Sequence, residues 1–136
     1  MNVIITEISA EKTWDLRQRV MWPNKSINYV KLPNDNEGIH YGLWKNKKLV
    51  SVVSLFIENK DIQFRKLATE ITEQSNGYAS KLLLHVMLLA SNKKISRIWC
   101  NARADKIKFY KKFGMEETNH KFSKENIDYV IMEKFV

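Results

Sequence analysis

The chain has 136 residues, of which 44% are hydrophobic, and it contains only four Gly and two Pro. This length and composition are typical of one globular domain with a single core, and they exclude a disordered or low-complexity protein. Cys100 is the only cysteine, which excludes an internal disulfide. No apolar run is long enough to cross a membrane and the N-terminus does not resemble a signal peptide, so we expect a cytoplasmic protein without a membrane partner.

The balance of charges is strongly basic. The chain has 23 Lys and Arg against 15 Asp and Glu, a formal net charge of +8. Such a surplus favours an anionic partner, which could be nucleic acid, a phosphorylated small molecule or an acidic surface. The basic residues are spread along the chain, so a solvated surface rich in lysine explains the surplus equally well.

The first half of the chain predicts a strand, a helix and a three-stranded meander. Residues 3–8 are rich in β-branched side chains, which predicts a strand. Ser9 is suited to cap the following helix, and Pro23 marks the end of that helix. Residues 24–36 have no regular period and predict a loop with room for a short helix. Beyond them the apolar period approaches two, which predicts strands at 39–44, 48–57 and 61–69.

The second half predicts two helices that alternate with strands. The apolar run from 77 to 92 predicts a helix, and RIWCNA at 97–102 predicts a strand. In ADKIKFYKKFG the aromatic side chains fall on one helical face and the lysines on the other, with a C-terminal Gly, which predicts an amphipathic helix. A final antiparallel pair is predicted at 115–121 and 128–135. This order of elements predicts a fold of the broad α/β class. Its sheet should be mixed, as in α+β proteins, and should not consist of alternating Rossmann units.

The loop before the helix at 77–92 combines polar residues with glycine. The first turn of a helix has backbone N–H groups without intrahelical partners and the positive end of the helix dipole. Gln74, Ser75 and Asn76 are small or polar, and Gly77 can adopt a positive φ. This pattern predicts a cradle for a pyrophosphate, although an ordinary loop before a core helix explains the same residues. The dinucleotide and NTP patterns G-x-G-x-x-G and G-x-x-x-x-G-K-[ST] are absent from the sequence.

Three segments together resemble the GNAT superfamily of acyl-CoA-dependent N-acyltransferases. RKLATEITEQSNGYASKLL is similar to its signature, in which a strand end is followed by Q-x-x-G-x-A and a long apolar helix. RIWCNARADKIKFYKKFGM is similar to its second hallmark, a strand with Asn at its end and a helix carrying FYxKxG. LRQRVMWPNK resembles the LRxxVLRP of one bacterial branch. The departures are Ala79 where the signature has Gly, Trp22 where that branch has Arg, and Met115 where an aromatic residue is usual.

The resemblance covers essentially the whole chain and implies a single GNAT-like acetyltransferase domain over residues 1–136. It implies a central, mostly antiparallel sheet with helices on both faces, and acetyl-CoA as co-substrate. The strand ending at Thr69 and the strand containing Asn101 are expected to splay apart and admit the cofactor. The residues implied to bind it are Leu67, Ala68, Thr69, Gln74, Ser75, Asn76, Gly77, Tyr78, Ala79, Ser80, Asn101, Lys106 and Tyr110.

Acyl transfer from a thioester to an amine needs a proton donor for the leaving thiolate and an acceptor for the amine proton. Tyr110 is the predicted acid, because a phenol with a pKa of about 10 is protonated at pH 7. Glu70 is the preferred candidate for the base, with Glu58 and His40 as alternatives. The separated His and Cys residues have no metal-ligand spacing, so we predict no metal. Cys100 lies in a strand that is expected to be buried and has no feature of a nucleophile.

The predicted function is transfer of an acetyl group from acetyl-CoA to a primary amine of a small molecule or protein, directly within a ternary complex. One alternative is a basic nucleic-acid-binding module, suggested by the charge and by aromatic residues among lysines in KIKFYKK. Because those aromatic residues line one helical face, as core residues do, we do not expect nucleic acid as the partner. Another alternative is an acyl-CoA-binding protein that has lost catalysis. The acceptor and a homodimeric state stay open.

Overall fold

The computed structural model describes residues 2–136, which form a seven-stranded sheet with α-helices. The strands are β1 (Val3–Ile8), β2 (Ile39–Lys45), β3 (Lys48–Glu58), β4 (Asp61–Thr69), β5 (Arg97–Arg103), β6 (Glu116–Lys124) and β7 (Ile127–Phe135). The helices are α1 (Glu11–Leu16), α2 (Ile27–Val30), α3 (Tyr78–Asn92) and α4 (Ile107–Lys111). The strands are arranged in the order β1-β2-β3-β4-β5-β7-β6.

Most neighbouring strands run antiparallel: β1 with β2, β2 with β3, β5 with β7, and β6 with β7. β4 and β5 instead pair in parallel, at Asp61–Arg97, Ile62–Ile98 and Gln63–Trp99. Parallel strands require a long connection, and α3 lies in the segment that joins these two. The predicted mixed α/β fold with a mostly antiparallel sheet is therefore confirmed.

The chain divides into two compact units. The first comprises the residues up to Phe56 together with Arg65–His85, and the second comprises Ile57–Phe64 and Val86–Val136. The organisation of the whole chain as a single domain stays a prediction. Within residues 2–136, no helix has the length and apolar composition that crossing a membrane requires.

The core of the first unit lies against β3, which is buried without interruption from Val50 to Leu55. A strand covered on both faces shows such a continuous run instead of alternation. Leu16, Val52 and Ala68 form a buried cluster there, and partly buried hydrophobic residues pack around it: Ile8, Val20, Met21 and Leu49. This cluster attaches α1 and the end of β4 to the centre of the sheet.

The N-terminal helix differs from its sequence-based prediction at its first residue, whereas its predicted end before Pro23 is confirmed. Ala10, not Ser9, is the N-cap of α1, and within the described residues no side chain caps this helix; Ser9 contributes its carbonyl, which accepts from the N–H of Lys12 at 3.1 Å. After Leu16 the chain continues as a π-helical turn, Arg17–Met21, and it leaves the helical conformation immediately before Pro23. The segment 24–36 contains two short helical turns, α2 and a 3₁₀ turn at Asp35–Glu37.

In the second unit, the segment ADKIKFYKKFG is helical over a shorter range than predicted. A 3₁₀ turn at Ala104–Lys106 precedes α4, and the helix ends before Gly114, whose φ is +86°. Its three aromatic side chains are partly buried and its lysines are exposed, so its amphipathic character is confirmed. In the final hairpin, β6 begins one residue later than predicted and continues to Lys124, and β7 begins one residue earlier than predicted and ends at Phe135 as predicted.

Candidate active site

β4 contains a bulge shortly before its end. A two-residue turn at 59–60 joins β3 to β4 and by itself would pair Val50 with Thr69. Instead the N–H of Glu70 donates to the carbonyl of Val50 at 2.7 Å, one residue out of that register. Lys66, with a left-handed φ of 57°, marks the extra residue. Bulges re-aim the strand that follows them and are frequent beside active sites.

The bulge redirects Leu67–Thr69, the strand end that the sequence assigns to the cofactor. Ala68 is buried, whereas Leu67 and Thr69 are partly exposed. The hydroxyl of Thr69 lies 2.8 Å from that of Ser51 on β3. Gln74 donates from Nε2 to the carbonyl of Thr69 at 3.1 Å, which ties the following loop back to the strand. The strand end and the loop are thus held together within one unit.

The loop from Gln74 to Gly77 is exposed and its backbone is accessible. Ser75 and Gly77 have φ values of 69° and 81°, so the predicted positive φ at Gly77 is confirmed. A Cβ added to Gly77 would meet no atom of the described chain within 4 Å. Asn76 donates from Nδ2 to the carbonyl of Glu73 at 3.2 Å and so keeps its side chain within the loop.

This loop leads into α3, a helix of 15 residues. The first helical hydrogen bond is donated by the N–H of Lys81 to the carbonyl of Gly77 at 3.0 Å. The amides of Ala79 and Ser80 therefore have no acceptor within the helix. The side chain of Tyr78 is buried, so this residue can offer only its backbone to a ligand. Several N–H groups and the dipole together make this end of α3 suited to an anion.

Glu70 follows β4 directly and is paired with Arg19. Arg19 Nη1 donates to Glu70 Oε2 at 2.7 Å, and the Glu70 side chain is 13% exposed. The hydrogen bond from Arg19 lowers the pKa of Glu70 below its ordinary value and outweighs the opposing effect of burial. Glu70 is therefore ionised at neutral pH, and Oε1 is the oxygen that Arg19 leaves open.

The two alternative bases are poorly placed. His40 is buried, with Nε2 at 2.8 Å from the carbonyl of Asp35 and Nδ1 at 2.7 Å from the hydroxyl of Ser54. Since a carbonyl only accepts, Nε2 is the donor to Asp35, and the contact with Ser54 occupies the other ring nitrogen. Glu58 lies beside the β3–β4 turn, at the end of the hairpin opposite Thr69.

Tyr110 lies on α4 in the second unit. Its ring centroid is 5.7 Å from that of Phe64 and 5.2 Å from that of Phe109. Within residues 2–136 its hydroxyl makes no hydrogen bond. Burial raises the pKa of the phenol well above its ordinary value, and the neighbouring Cys100 adds to the rise. The hydroxyl therefore stays protonated at neutral pH, so it can donate a hydrogen bond.

The other residues of the second hallmark differ in their surroundings. Asn101 is exposed and lies two residues before the end of β5, opposite Ile131 of β7. Lys106 is exposed in the turn before α4. Cys100 is buried, and burial raises the pKa of its thiol to about 12, so a thiolate nucleophile is disfavoured at neutral pH. In the part of the chain described, no group of three or more His, Cys, Asp or Glu residues could hold a metal ion.

A buried polar network in the first unit escaped the sequence analysis. Arg17 is fully buried and forms a bidentate pair with Asp35, with both N–O distances at 2.9 Å. Arg17 Nη2 also donates to the hydroxyl of Ser54 at 2.8 Å, and Ser54 contacts His40. The only signal in the sequence was a charged residue at an apolar position of a helix, since its partner lies 18 residues away.

Comparison with known proteins identifies the family. Residues 18–136 match the family model of the acetyltransferase (GNAT) domain. The chain belongs to the GNAT acetyltransferase family. It is 28% identical over 140 residues to the uncharacterized N-acetyltransferase YitI of Bacillus subtilis, covering 96% of this chain and 94% of that protein. The resemblance seen in the sequence is confirmed, and the protein is an acyl-CoA-dependent N-acetyltransferase.

Solved structures of GNAT acetyltransferases share the fold over nearly the whole chain. The ribosomal-protein-S18-alanine N-acetyltransferase from Escherichia coli matches with a TM-score of 0.81 at 16% identity, over 98% of this chain and 94% of that one. A GNAT family acetyltransferase from Elizabethkingia anophelis with acetyl-CoA bound matches with a TM-score of 0.78 at 17% identity, over 99% of both chains. At these identities the likeness concerns the fold.

Proposed function

We propose that this GNAT enzyme transfers the acetyl group of acetyl-CoA to a primary amine by direct attack within a ternary complex. The observation that carries the proposal is the bulged end of β4 followed by an open, glycine-containing loop at the N-terminus of α3. Acetyl-CoA supplies a thioester, whose carbonyl is the electrophile. The Elizabethkingia anophelis relative, which has acetyl-CoA bound, supports this choice of cofactor.

The cofactor-binding residues are those assigned from the sequence. The backbone of Leu67–Thr69 would bind the pantetheine arm and the thioester carbonyl as an added strand does. The amides from Gln74 to Ser80 would hold the pyrophosphate. The exposed Asn101 would bond to the pantetheine amide, and the exposed Lys106 would contact a phosphate. The absence of a side chain at Gly77 fits this role, because the space beside its Cα is open.

Strands β4 and β5 would part to admit the pantetheine arm. Unpaired backbone groups at the strand ends would then bind the arm through hydrogen bonds, since each unpaired N–H or C=O needs a partner.

Tyr110 would protonate the departing thiolate. Its raised pKa keeps the proton on the phenol, although it also makes the phenol a weaker acid than an exposed one. The hydroxyl would therefore act first as a hydrogen-bond donor that stabilises the negative charge developing on sulfur. Full transfer of the proton to sulfur would follow as the C–S bond breaks.

Glu70 would accept the proton that the attacking amine loses. A free ammonium has a pKa of about 10.4 and must be deprotonated before it can attack. Arg19 and the backbone of Ile71 each donate one hydrogen bond to the carboxylate, and its remaining lone pairs would accept the proton directly from the amine or through a water. The lowered pKa of Glu70 keeps it in the accepting form.

We also propose that the chain acts as a single catalytic domain, in the cytoplasm and without a metal. A small molecule or a protein could provide the amine. A homodimer stays a prediction.

Titration calorimetry with acetyl-CoA, followed by mass spectrometry of reactions with a panel of amines, tests the proposal. We expect binding that persists at physiological salt and a mass gain of one acetyl group on at least one amine. Lack of acetyl-CoA binding would refute the assignment. Binding without transfer to any amine would indicate an acyl-CoA-binding protein. Binding of nucleic acid that vanishes at moderate salt, without binding of acetyl-CoA, would favour the nucleic-acid alternative.

A further inference from the structure

Arg65 is a partly buried cation without an ion partner. It lies on β4 immediately before the bulge residue Lys66. Its guanidinium forms neither a hydrogen bond nor a salt bridge within the described part of the chain. Burial lowers its pKa below the ordinary value, and repulsion by Arg17 adds to this effect. A desolvated and unpaired guanidinium is unfavourable unless a ligand or another group compensates it.

The nearby carboxylate of Asp35 cannot serve as that partner. Asp35 Oδ2 accepts from Arg17 Nη1 at 2.9 Å, from Trp14 Nε1 at 3.0 Å and from the N–H of Leu32 at 3.0 Å. Its Oδ1 accepts from Arg17 Nη2 at 2.9 Å. The negative charge of Asp35 is thus matched by Arg17, and Arg65 adds one uncompensated positive charge.

The register of the sheet places Arg65 beside this network. A two-residue turn at 59–60 joins β3 to β4, and counting outward from it places Ser54 opposite Arg65, before the bulge residue Lys66. The charges of Arg17 and Asp35 both act on Arg65, which agrees with this placement. Ser54 in turn contacts both Arg17 and His40. Both terminal nitrogens of Arg17, both carboxylate oxygens of Asp35 and both ring nitrogens of His40 have partners within this part of the fold. The guanidinium of Arg65 has none of these partners and is available to a ligand.

We propose that Arg65 binds a carboxylate of the acceptor, so that the acceptor is an amine that also carries a carboxylate, as a free amino acid does. This inference rests on the proposed function. A planar guanidinium binds a carboxylate through two parallel hydrogen bonds, which also fixes its orientation. Arg65 lies two residues before Leu67, where the thioester carbonyl would be bound. An amino acid held by its carboxylate could thus present its amine to the neighbouring strand end.

A phosphate of the cofactor is a less suitable occupant. The pyrophosphate is assigned to the loop that begins at Gln74, beyond the far end of β4. Thr69 lies four positions along the strand from Arg65, a span of about 13 Å. The net charge of +8 also favours an anionic acceptor over a polycationic one.

Acetylation of matched amines tests the inference. Each pair consists of an amino acid and its carboxamide, which differ only in the carboxylate. We expect the wild-type protein to acetylate the amino acid with a higher kcat/KM than the carboxamide. Arg65→Met should lower kcat/KM for the amino acid about 10- to 100-fold, which corresponds to the loss of one charge-assisted contact. The same variant should change kcat/KM for the carboxamide by less than about twofold, because the carboxamide has no carboxylate for Arg65 to bind.

Two further measurements separate the possible failures. Arg65→Lys keeps the positive charge but cannot form two parallel hydrogen bonds to a carboxylate. Its kcat/KM for the amino acid should therefore lie between the values of wild type and Arg65→Met. The Kd for acetyl-CoA should be the same in all three proteins. A fall in acetyl-CoA affinity in Arg65→Met, or an equal loss for both members of each pair, would overturn the inference.

The wild-type comparison does not depend on any variant folding. If the wild-type protein prefers the carboxamides, uses both members equally, or acetylates neither although it binds acetyl-CoA, the inference is wrong and cofactor binding stands. If it does not bind acetyl-CoA, the proposed function itself has failed.

Discussion

Arg19 Nη1 lies 2.7 Å from Glu70 Oε2, and it joins the π-helical turn after α1 to the residue that follows β4. Arg19 also donates from Nε and Nη2 to Asp15 Oδ2, at 3.0 and 2.8 Å. The hydrogen bond to Asp15 contributes most to raising the pKa of Arg19, and the bond to Glu70 comes second. The carboxylate assigned as the base is therefore held in place by a cation that stays charged at every accessible pH.

Substitution of Glu70 and substitution of Arg19 should affect catalysis in different ways. Glu70→Gln should lower kcat about 100-fold, in the range for loss of a general base. Arg19→Met removes the group that lowers the pKa of Glu70, so that pKa should rise and the acidic limb of the kcat profile should move to higher pH. Stopped assays of acetyl transfer from about pH 3.5 to pH 9 measure both effects.

Asp15→Asn is the control for this pair, because it changes the other partner of Arg19 and leaves the Arg19–Glu70 hydrogen bond in place. Its pH profile should match that of the wild-type protein. If Glu70→Gln keeps full activity at all pH values, Glu70 is not the base, and the pair only connects α1 to β4.

The sheet was predictable because its signals are local. The three hairpin turns fall where the alternating pattern is interrupted by polar residues, and left-handed residues occupy them: Asn46, Lys47, Asn59, Glu125 and Asn126. Asparagine tolerates this conformation better than most residues. The strand bounds therefore agreed with the pattern closely, and the loop at Gly77 could be found from its composition alone.

The missed features depend on contacts between distant parts of the chain. Nothing around Lys66 marks a bulge, since a lysine with positive φ is held there by the register of β3 and β4 rather than by its own preference. The partner of Glu70 lies 51 residues away. The segment 24–36 looked irregular because Asp35, whose hydrogen bonds reach back to Trp14 and Arg17, organises it through tertiary contacts.

Gly77→Trp should abolish detectable binding of acetyl-CoA in calorimetry. The side chain would occupy the open space beside the amides of the loop, and it would block the pyrophosphate. Gly77→Ala is the matched control, because it suffers the same strain at φ 81° but adds only one methyl group. That strain should cost about 1 kcal/mol of stability in either variant.

We expect Gly77→Ala to bind acetyl-CoA with at most a modest loss. Similar loss in both variants would mean that the conformation of residue 77, rather than the space beside it, governs binding. Unchanged binding in Gly77→Trp would remove the loop from the cofactor site.

Tyr110→Phe should lower kcat by about 10- to 100-fold, since a positioned acid contributes roughly this much or more. The Kd for acetyl-CoA and the melting temperature should stay close to their wild-type values. Phenylalanine keeps the ring contacts with Phe64 and Phe109, and the hydroxyl it removes has no hydrogen bond in the described residues. Rapid-quench measurement of a single turnover checks that the chemical step is the one affected. An unchanged single-turnover rate would show that another group protonates the thiolate.

The buried pair of Arg17 and Asp35 should dominate the response of stability to mutation in the first unit. Asp35→Asn leaves a fully buried guanidinium without its counter-charge, which should cost about 3–5 kcal/mol of unfolding free energy. Adding Arg17→Met should recover part of that loss, because the uncompensated charge is then gone. Urea unfolding of wild type and both variants measures the effect. A double variant less stable than Asp35→Asn would mean that Arg17 contributes mainly through packing and its bonds to Val30 and Ser54.

The same pair should make stability depend on pH in acid. Burial by itself raises the pKa of Asp35, but hydrogen bonds from Arg17, from the N–H of Leu32 and from Trp14 together hold it below the ordinary value. A carboxyl whose pKa is lower in the folded than in the unfolded state stabilises the fold fully above its unfolded pKa, about 3.9 for Asp. This stabilisation is lost as the pH falls from there through the folded-state pKa. The difference in unfolding free energy between wild type and the Arg17→Met, Asp35→Asn double variant should therefore be constant above pH 5 and shrink below pH 4. A difference that stays constant down to pH 2 would show that the pKa of Asp35 is the same in the folded and the unfolded protein.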